Sequence, residues 1–227
     1  MDRFSDRIKM NGIKTRGHQP ITMTAAVKRL VSLTALLFLV SCTQLIRPNF
    51  TPVLTELRAG EYQLDKMHSF LLFRIEHLGL SKIVGRFNTF DASLDFDPSN
   101  PEAMTLNGII AADSIDINNP DLESTLQEPD WFDSEQFPQL VFESNTVEVI
   151  EDNKLAISGL FTMRGITQPL TLIATFNGGA DNLITRKYTI GFSATALVNR
   201  SDFGMDTFSA FAGDEIAVEL HGEFLRQ

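Results

Sequence analysis

Residues 215–224 read EIAVELHGEF, and their alternation decides the class of fold. Ile216, Val218, Leu220 and Phe224 fall on one side of an extended chain, and Glu215, Glu219, His221 and Glu223 on the other. Side chains of a strand point alternately to its two faces, so a period of two describes a strand with one apolar and one wet face. Such strands belong to antiparallel sheets that bury a single side.

Moving toward the N-terminus, the period recurs in Tyr188, Ile190, Phe192, Ala194, Ala196 and Val198, in Leu170, Leu172, Ala174 and Phe176, and in Leu155, Ile157, Phe161 and Met163. Near Phe87 the parity breaks. Ile83, Gly85 and Phe87 are odd-numbered, whereas Phe90, Ala92, Leu94 and Phe96 are even. One inserted residue at Asn88–Thr89 restores the pattern, as a β-bulge does. Turn residues at 97–101 (DPSNP), 151–153 (EDN) and 177–179 (NGG) separate the strands. Short links make sequence neighbours sheet neighbours, giving about eight strands in an antiparallel up-and-down meander. Pattern alone leaves open whether they stack as a sandwich or close as a barrel. The exception is the acid-rich stretch from Asp113 to Pro138, with a helical turn expected at Leu122–Leu126. Its Trp131, Phe132 and Phe137 would suit a cap over an open end.

The 227-residue chain has a net charge of −10, unevenly placed. Residues 1–41 carry seven Lys and Arg against two acids, which leaves −15 for the remainder. So acidic a body argues against nucleic acid as a partner. With 18 Phe against one Trp and two Tyr, most rings have no polar handle and need an apolar interior.

Residues 30–41 (LVSLTALLFLVS) are uncharged and follow Lys28 and Arg29. That is the length of a signal peptide, since a bilayer-spanning helix needs about 20 apolar residues. The run ends in Leu39-Val40-Ser41-Cys42, which resembles the bacterial lipobox, and Cys42 is the only cysteine. No intramolecular disulfide can form. The expected organisation is a cleaved leader over 1–41, starting at Met1 or at Met23, a lipidated Cys42 with a tether over 42–58, and a barrel domain over 59–227. Thr43 is not the Asp that favours inner-membrane retention in enterobacterial lipoproteins, so the expected site is the periplasmic side of the outer membrane.

Five phrases in order carry a family resemblance: YQLDKMHS (62–69), FRIEHLGLSKIVGRF (73–87), DWFDSEQFPQLVFES (130–144), GLFTMRGITQPLTL (159–172) and NRSDFG (199–204). Together they resemble the YceI family. The resemblance implies a lipocalin-like β-barrel with an apolar tunnel for polyisoprenoid chains or fatty amides. It also implies an envelope binding protein for a long apolar lipid, a carrier or buffer, with no cofactor. One departure stands out: many relatives read like Arg-Asp-x-His-Leu before the aromatic pair, where this chain has Thr125 before Leu126.

Candidate tunnel residues are Phe73, Phe87, Phe90, Trp131, Phe132, Phe142, Phe161, Met163 and Phe192. His77, Arg164, Arg200 and Asp202 are candidates for meeting a polar head group or for organising loops. For the Arg200–Asp202 loop the structural role is favoured, through charge-assisted hydrogen bonds with Gly204 in a backbone region other residues resist. His68, His77 and His221 lie too far apart for a local zinc motif, and no metal is expected. Gly191-Phe192-Ser193-Ala194-Thr195 lacks the last Gly of a nucleophile elbow, and no phosphate loop occurs, so no catalytic residue is assigned. A filled barrel serving assembly is the alternative to a carrier, and an enzyme on isoprenoid lipids the third reading. The oligomeric state, a homodimer included, is left open.

Overall fold

The computed structural model describes residues 53–227. Within them the chain forms β1 (Gly60–Leu64), β2 (Phe70–His77), β3 (Ser81–Phe87), β4 (Phe90–Phe96), β5 (Thr105–Ala111), β6 (Ile115–Asp116), β7 (Gln139–Glu151), β8 (Lys154–Met163), β9 (Ile166–Asp181), β10 (Tyr188–Asn199) and β11 (Ala212–Arg226). One α-helix, α1 (Pro120–Leu126), lies between β6 and β7. It starts on Asn119, whose side chain accepts from Leu122 N, with Pro120 at the first helical position.

All pairings are antiparallel, and the ladder β1-β4-β5-β7-β8-β9-β10-β11 closes on itself through β1 and β11. The remaining strands extend the same wall. β11 pairs with β2 along Ile216–His221 and with β1 along Phe224–Arg226, so β1 and β2 are two halves of one broken wall strand. β3 and β4 form a second such pair of halves, and β5 and β6 a third. The result is a closed barrel of eight wall strands, the barrel rather than the sandwich.

The parity break at Asn88–Thr89 is not a bulge. A bulge leaves the partner strand continuous, but here both neighbours break at the same height, at the 3-10 turns Lys66–His68 and Ala112–Ser114. The wall turns a corner as a unit, stitched by Asn88 N to Ser114 O and Ala111 N to Thr89 O, both 2.9 Å. The turn expected at Asn177–Gly179 is also absent. β9 runs through it to Asp181, with a register shift opposite Gly191–Phe192, and the chain reverses at 182–187 instead. The glycine at 179 serves close approach: a Cβ there would lie 2.7 Å from Leu57 and 2.6 Å from the Tyr188 hydroxyl.

The two ends of the barrel differ. One receives the 97–104, 152–153 and 182–187 connections, and there Tyr62, Phe96, Leu155, Phe176, Ile190 and Phe224 are almost wholly buried, forming a floor. Leu54 and Leu57 also pack into it, while Arg58 bridges Asp181. The segment expected to be free tether up to residue 58 is therefore folded from Leu54 onward, because two leucines placed three apart close the apolar end. The other end, the mouth, carries the 78–80, 117–138, 164–165 and 200–211 connections.

Candidate functional site

Along β4, β9 and β11 the inward side chains change character with height, whereas those of β8 and β10 are buried throughout. On β9, Leu170 and Leu172 are half-buried while Ala174 and Phe176 are buried; on β11, Ile216, Val218 and Leu220 give way to Gly222 and Phe224. On β4, Phe90 and Ala92 give way to Leu94 and Phe96. Side chains of one type on one face differ in exposure only if space lies beside the first set. That space is a cavity of about 380 Å³ in the mouth half of the barrel.

Its wall is made of Leu71, Phe73, Phe87, Phe90, Leu106, Leu140, Phe142, Phe161, Met163, Leu170, Leu172, Val218 and Leu220, with small residues Ala92, Gly108, Ala194 and Ala196 leaving the room. α1 and the segment after it reach over the opening with Leu122, Leu126, Trp131 and Phe132, and Met205, Phe208 and Phe211 approach from the loop before β11. The rings interlock. Phe73 tilts against Phe87 at 5.7 Å, and Phe132 meets the same Phe87 edge-on at 5.7 Å. Trp131 stacks on Phe208 at 6.1 Å, and Phe208 touches Phe211. Gly85 is required here, since a Cβ would lie 2.3 Å from the Phe73 ring.

Eight of the nine expected tunnel residues line the cavity; Phe192 does not. Phe192 sits lower, between Phe176 at 5.4 Å and Phe224 at 6.3 Å, and belongs to the floor. Parity gives the side a residue faces but not its height in the barrel. The leucines of β9 and β11 and the small residues of β10 were visible in the same alternation but carry no ring to draw notice. Thr125 lines the mouth with its hydroxyl donated to Asp121 O, and the structure brings His77, at the end of β2, to the same wall. Cys42 lies outside the described residues.

The two arginines are occupied by the backbone. Arg164 donates to the carbonyls of Trp131 and Pro129, which pins the aromatic cap to the β8–β9 turn. Arg200, only 2% exposed, donates to the carbonyls of Met205, Thr207, Ala212 and Gly213 and lies 5.9 Å from the Trp131 ring. It organises the loop before β11, but not through Asp202, which points outward and accepts from Asn199. Gly204 takes φ 72° as anticipated.

Two polar groups were missed. Asp91 on β4 reaches the cavity wall and accepts from Gln63 at 2.6 Å while pairing with Lys66 at 2.6 Å. Burial works to raise its carboxyl, but the bonds from Lys66, Gln63 and Ala92 N outweigh it and hold it below the usual range. On the outer wall Asp65, His68 and Glu223 converge, with His68 Nδ1 2.9 Å from Asp65. That hydrogen bond raises the His68 imidazole above its ordinary value.

An eight-stranded antiparallel barrel with a one-sided apolar chamber, closed below and covered by an aromatic flap, is a lipocalin-like architecture. Residues 62–224 match the family model described as the YceI-like domain, and the chain belongs to that family. It is 34% identical over 171 residues to Protein YceI of Salmonella arizonae, an alignment covering 74% of this chain and 88% of that one, and matches the Salmonella enteritidis protein equally. A Campylobacter jejuni YCEI protein superposes with a TM-score of 0.60 at 28% identity, covering 67% of this chain and 90% of that one. Burkholderia cenocepacia BcnA superposes at 0.65 with 22% identity, covering 70% and 98%. A polyisoprenoid-binding domain from Saccharophagus degradans shares the fold at 0.55 with 12% identity, covering 75% and 100%.

Proposed function

We propose that the protein is a carrier or buffer for one long apolar lipid, of isoprenoid, quinone-like or fatty-acyl type, held in the barrel and kept at the cell envelope by acylation of Cys42. The cavity carries this reading: a chamber lined almost wholly by hydrocarbon, reached through an aromatic flap. At the liquid volume of about 30 Å³ for a water-sized group, it holds roughly a dozen methylenes. Each methylene moved from water contributes about 0.8 kcal/mol, so an enclosed chain binds tightly with few polar contacts. The polyisoprenoid-binding description of the Saccharophagus degradans domain supports a lipid of this kind. By the Cys42 reading the protein sits on the periplasmic side, the outer membrane favoured.

Native mass spectrometry of the purified protein, before and after extraction with organic solvent, tests the proposal. The expected result is one extractable lipid per chain that the stripped protein takes up again. A protein that carries none and takes up neither fatty acids nor isoprenoid alcohols is a filled barrel with a role in assembly. Release of altered lipid on incubation would favour an enzyme.

A further inference from the structure

The barrel wall has a gap. The β1–β4 ladder ends at Gln63–Ser93 and the β2–β3 ladder begins at Leu71–Phe87, so residues 64–70 and 88–92 face each other without wall hydrogen bonds. Outside this gap is a cleft lined by Lys66, Ser69, Arg86, Asn88 and Thr89, with Phe70 beside them. Its inner boundary is Leu71, Phe87 and Phe90, and the same three residues line the main cavity. One thin layer of apolar side chains separates the two spaces. The gap is bridged to β4 by side chains alone: Gln63 donates to Asp91 and to Ala92 O, and Lys66 from the turn pairs with Asp91 in an exposed contact of the kind that contributes little to stability.

The cleft differs from the mouth in charge. The mouth segments carry Glu128, Asp130, Asp133, Asp202 and Asp206, and their two arginines are engaged by backbone carbonyls. The cleft presents Lys66 and Arg86, both about half exposed or more, each paired with one carboxylate, Asp91 and Asp116, whose place on the outward-facing N–H groups a lipid carboxylate or phosphate can share.

Building on the carrier reading, we propose that this side cleft is the head-group site for an amphiphile with an anionic head, a carboxylate or a phosphate. The head lies between Lys66 and Arg86, and the chain passes Leu71, Phe87 and Phe90 into the cavity toward the mouth. The head is then held in the lateral cleft in mid-wall, the chain enters where these three side chains part, and the acidic mouth faces only hydrocarbon.

The test uses three probes with one chain and different heads: hexadecanol, palmitate and hexadecyl phosphate. Affinities are measured by titration against delipidated wild type, Lys66→Gln, Arg86→Gln, the double variant and a control at the floor end, Lys154→Gln. Wild type is expected to prefer an anionic head over the alcohol by about tenfold or more, the scale of a charge-assisted hydrogen bond. Each cleft variant should remove a large part of that preference and the double variant nearly all of it, with hexadecanol binding and melting temperature unchanged. A preference for palmitate over the phosphate, or the reverse, assigns the head within the class. Anion preference that survives the double variant, that is absent from wild type, or that Lys154→Gln removes equally, overturns the head-group site while leaving the carrier intact. If wild type binds none of the probes, hexadecanol included, the carrier reading falls and the head-group site with it.

Discussion

Ala174 and Ala196 face inward from neighbouring strands of the barrel and differ in what lies beside them. Ala174 on β9 is 2% exposed in the packed region, whereas Ala196 on β10 borders the cavity. Replacing each by Phe adds the same ring, about 100 Å³ on the scale of roughly 30 Å³ per water-sized group. At Ala196 the ring enters space that is already there, takes up to about a quarter of the 380 Å³ chamber, and strains little. It displaces about three ligand methylenes, worth about 2.4 kcal/mol, so lipid affinity should fall roughly 50-fold while the stripped protein melts near the wild-type temperature. At Ala174 the ring has nowhere to go. Overpacking costs about 1–3 kcal/mol, and at roughly 2–4 °C per kcal/mol for a domain of this size the melting point should drop by about 2–12 °C. Thermal melts of the delipidated proteins and uptake of a fluorescent fatty acid measure both quantities. If Ala196→Phe melts as early as Ala174→Phe and still takes up lipid normally, the mouth half is packed in solution and the reasoning from graded exposure is wrong.

Phe192→Ala, which empties a floor position between Phe176 and Phe224, should cost about 3–5 kcal/mol and leave lipid stoichiometry unchanged in the folded fraction. Arg200→Lys cannot reach the four carbonyls that the guanidinium serves; a loss of about 3 kcal/mol and faster amide exchange over residues 204–213 are expected, read by calorimetry and mass spectrometry. Burial, with Tyr188 nearby, pushes the Tyr62 phenol up to about 12 from 10, so the fold favours the neutral ring. Its contribution, on the order of 2–3 kcal/mol, is complete below pH 10 and lost between about pH 10 and 12, and Tyr62→Phe should flatten alkaline melting in that window. Cys42→Ser should abolish acylation and release the protein from membranes; wild-type protein with an unmodified thiol would refute the anchor.

What the sequence made legible was whatever has a period. Inward and outward faces of β8 to β11 follow from alternation, which is why Phe161 and Met163 read as inward; Trp131 and Phe132, on no strand, were legible only as an apolar cluster in an acid-rich segment. Height does not follow, which is why Phe192 reads as a tunnel residue but packs in the floor. The corner at Asn88–Thr89 looks like a bulge in one strand because both shift parity by one. Only the simultaneous breaks at Lys66–His68 and Ala112–Ser114, far away in sequence, tell them apart. Gly178–Gly179 reads as a turn by composition, yet the missing side chain of Gly179 makes room for Leu57 and Tyr188. Asp91 is invisible as a wall residue in the sequence because its partners Gln63, on β1, and Lys66, in the turn after it, meet it only through the barrel.

The broken strands and the hollow half belong together. A barrel that packs its whole interior can keep every strand continuous, since each inward side chain has partners at all heights. Here the aromatic floor supplies close packing at one end: Phe176, Phe192 and Phe224 form a chain of ring contacts, and Tyr62 and Phe96 complete it. Above the floor, fewer partners exist for the same number of wall residues; there three of the eight wall strands are broken, and α1 and Trp131 reach over the opening. Ligand binding should stabilise this upper half most, because a chain in the cavity gives Phe73, Phe87 and Phe90 the neighbours that the protein itself withholds. Amide exchange should therefore slow on lipid binding in β2, β3 and β6 and stay unchanged at the floor ends of β9 and β10. Uniform slowing along every strand would mean that the two halves unfold as one unit and that the floor does not stand by itself.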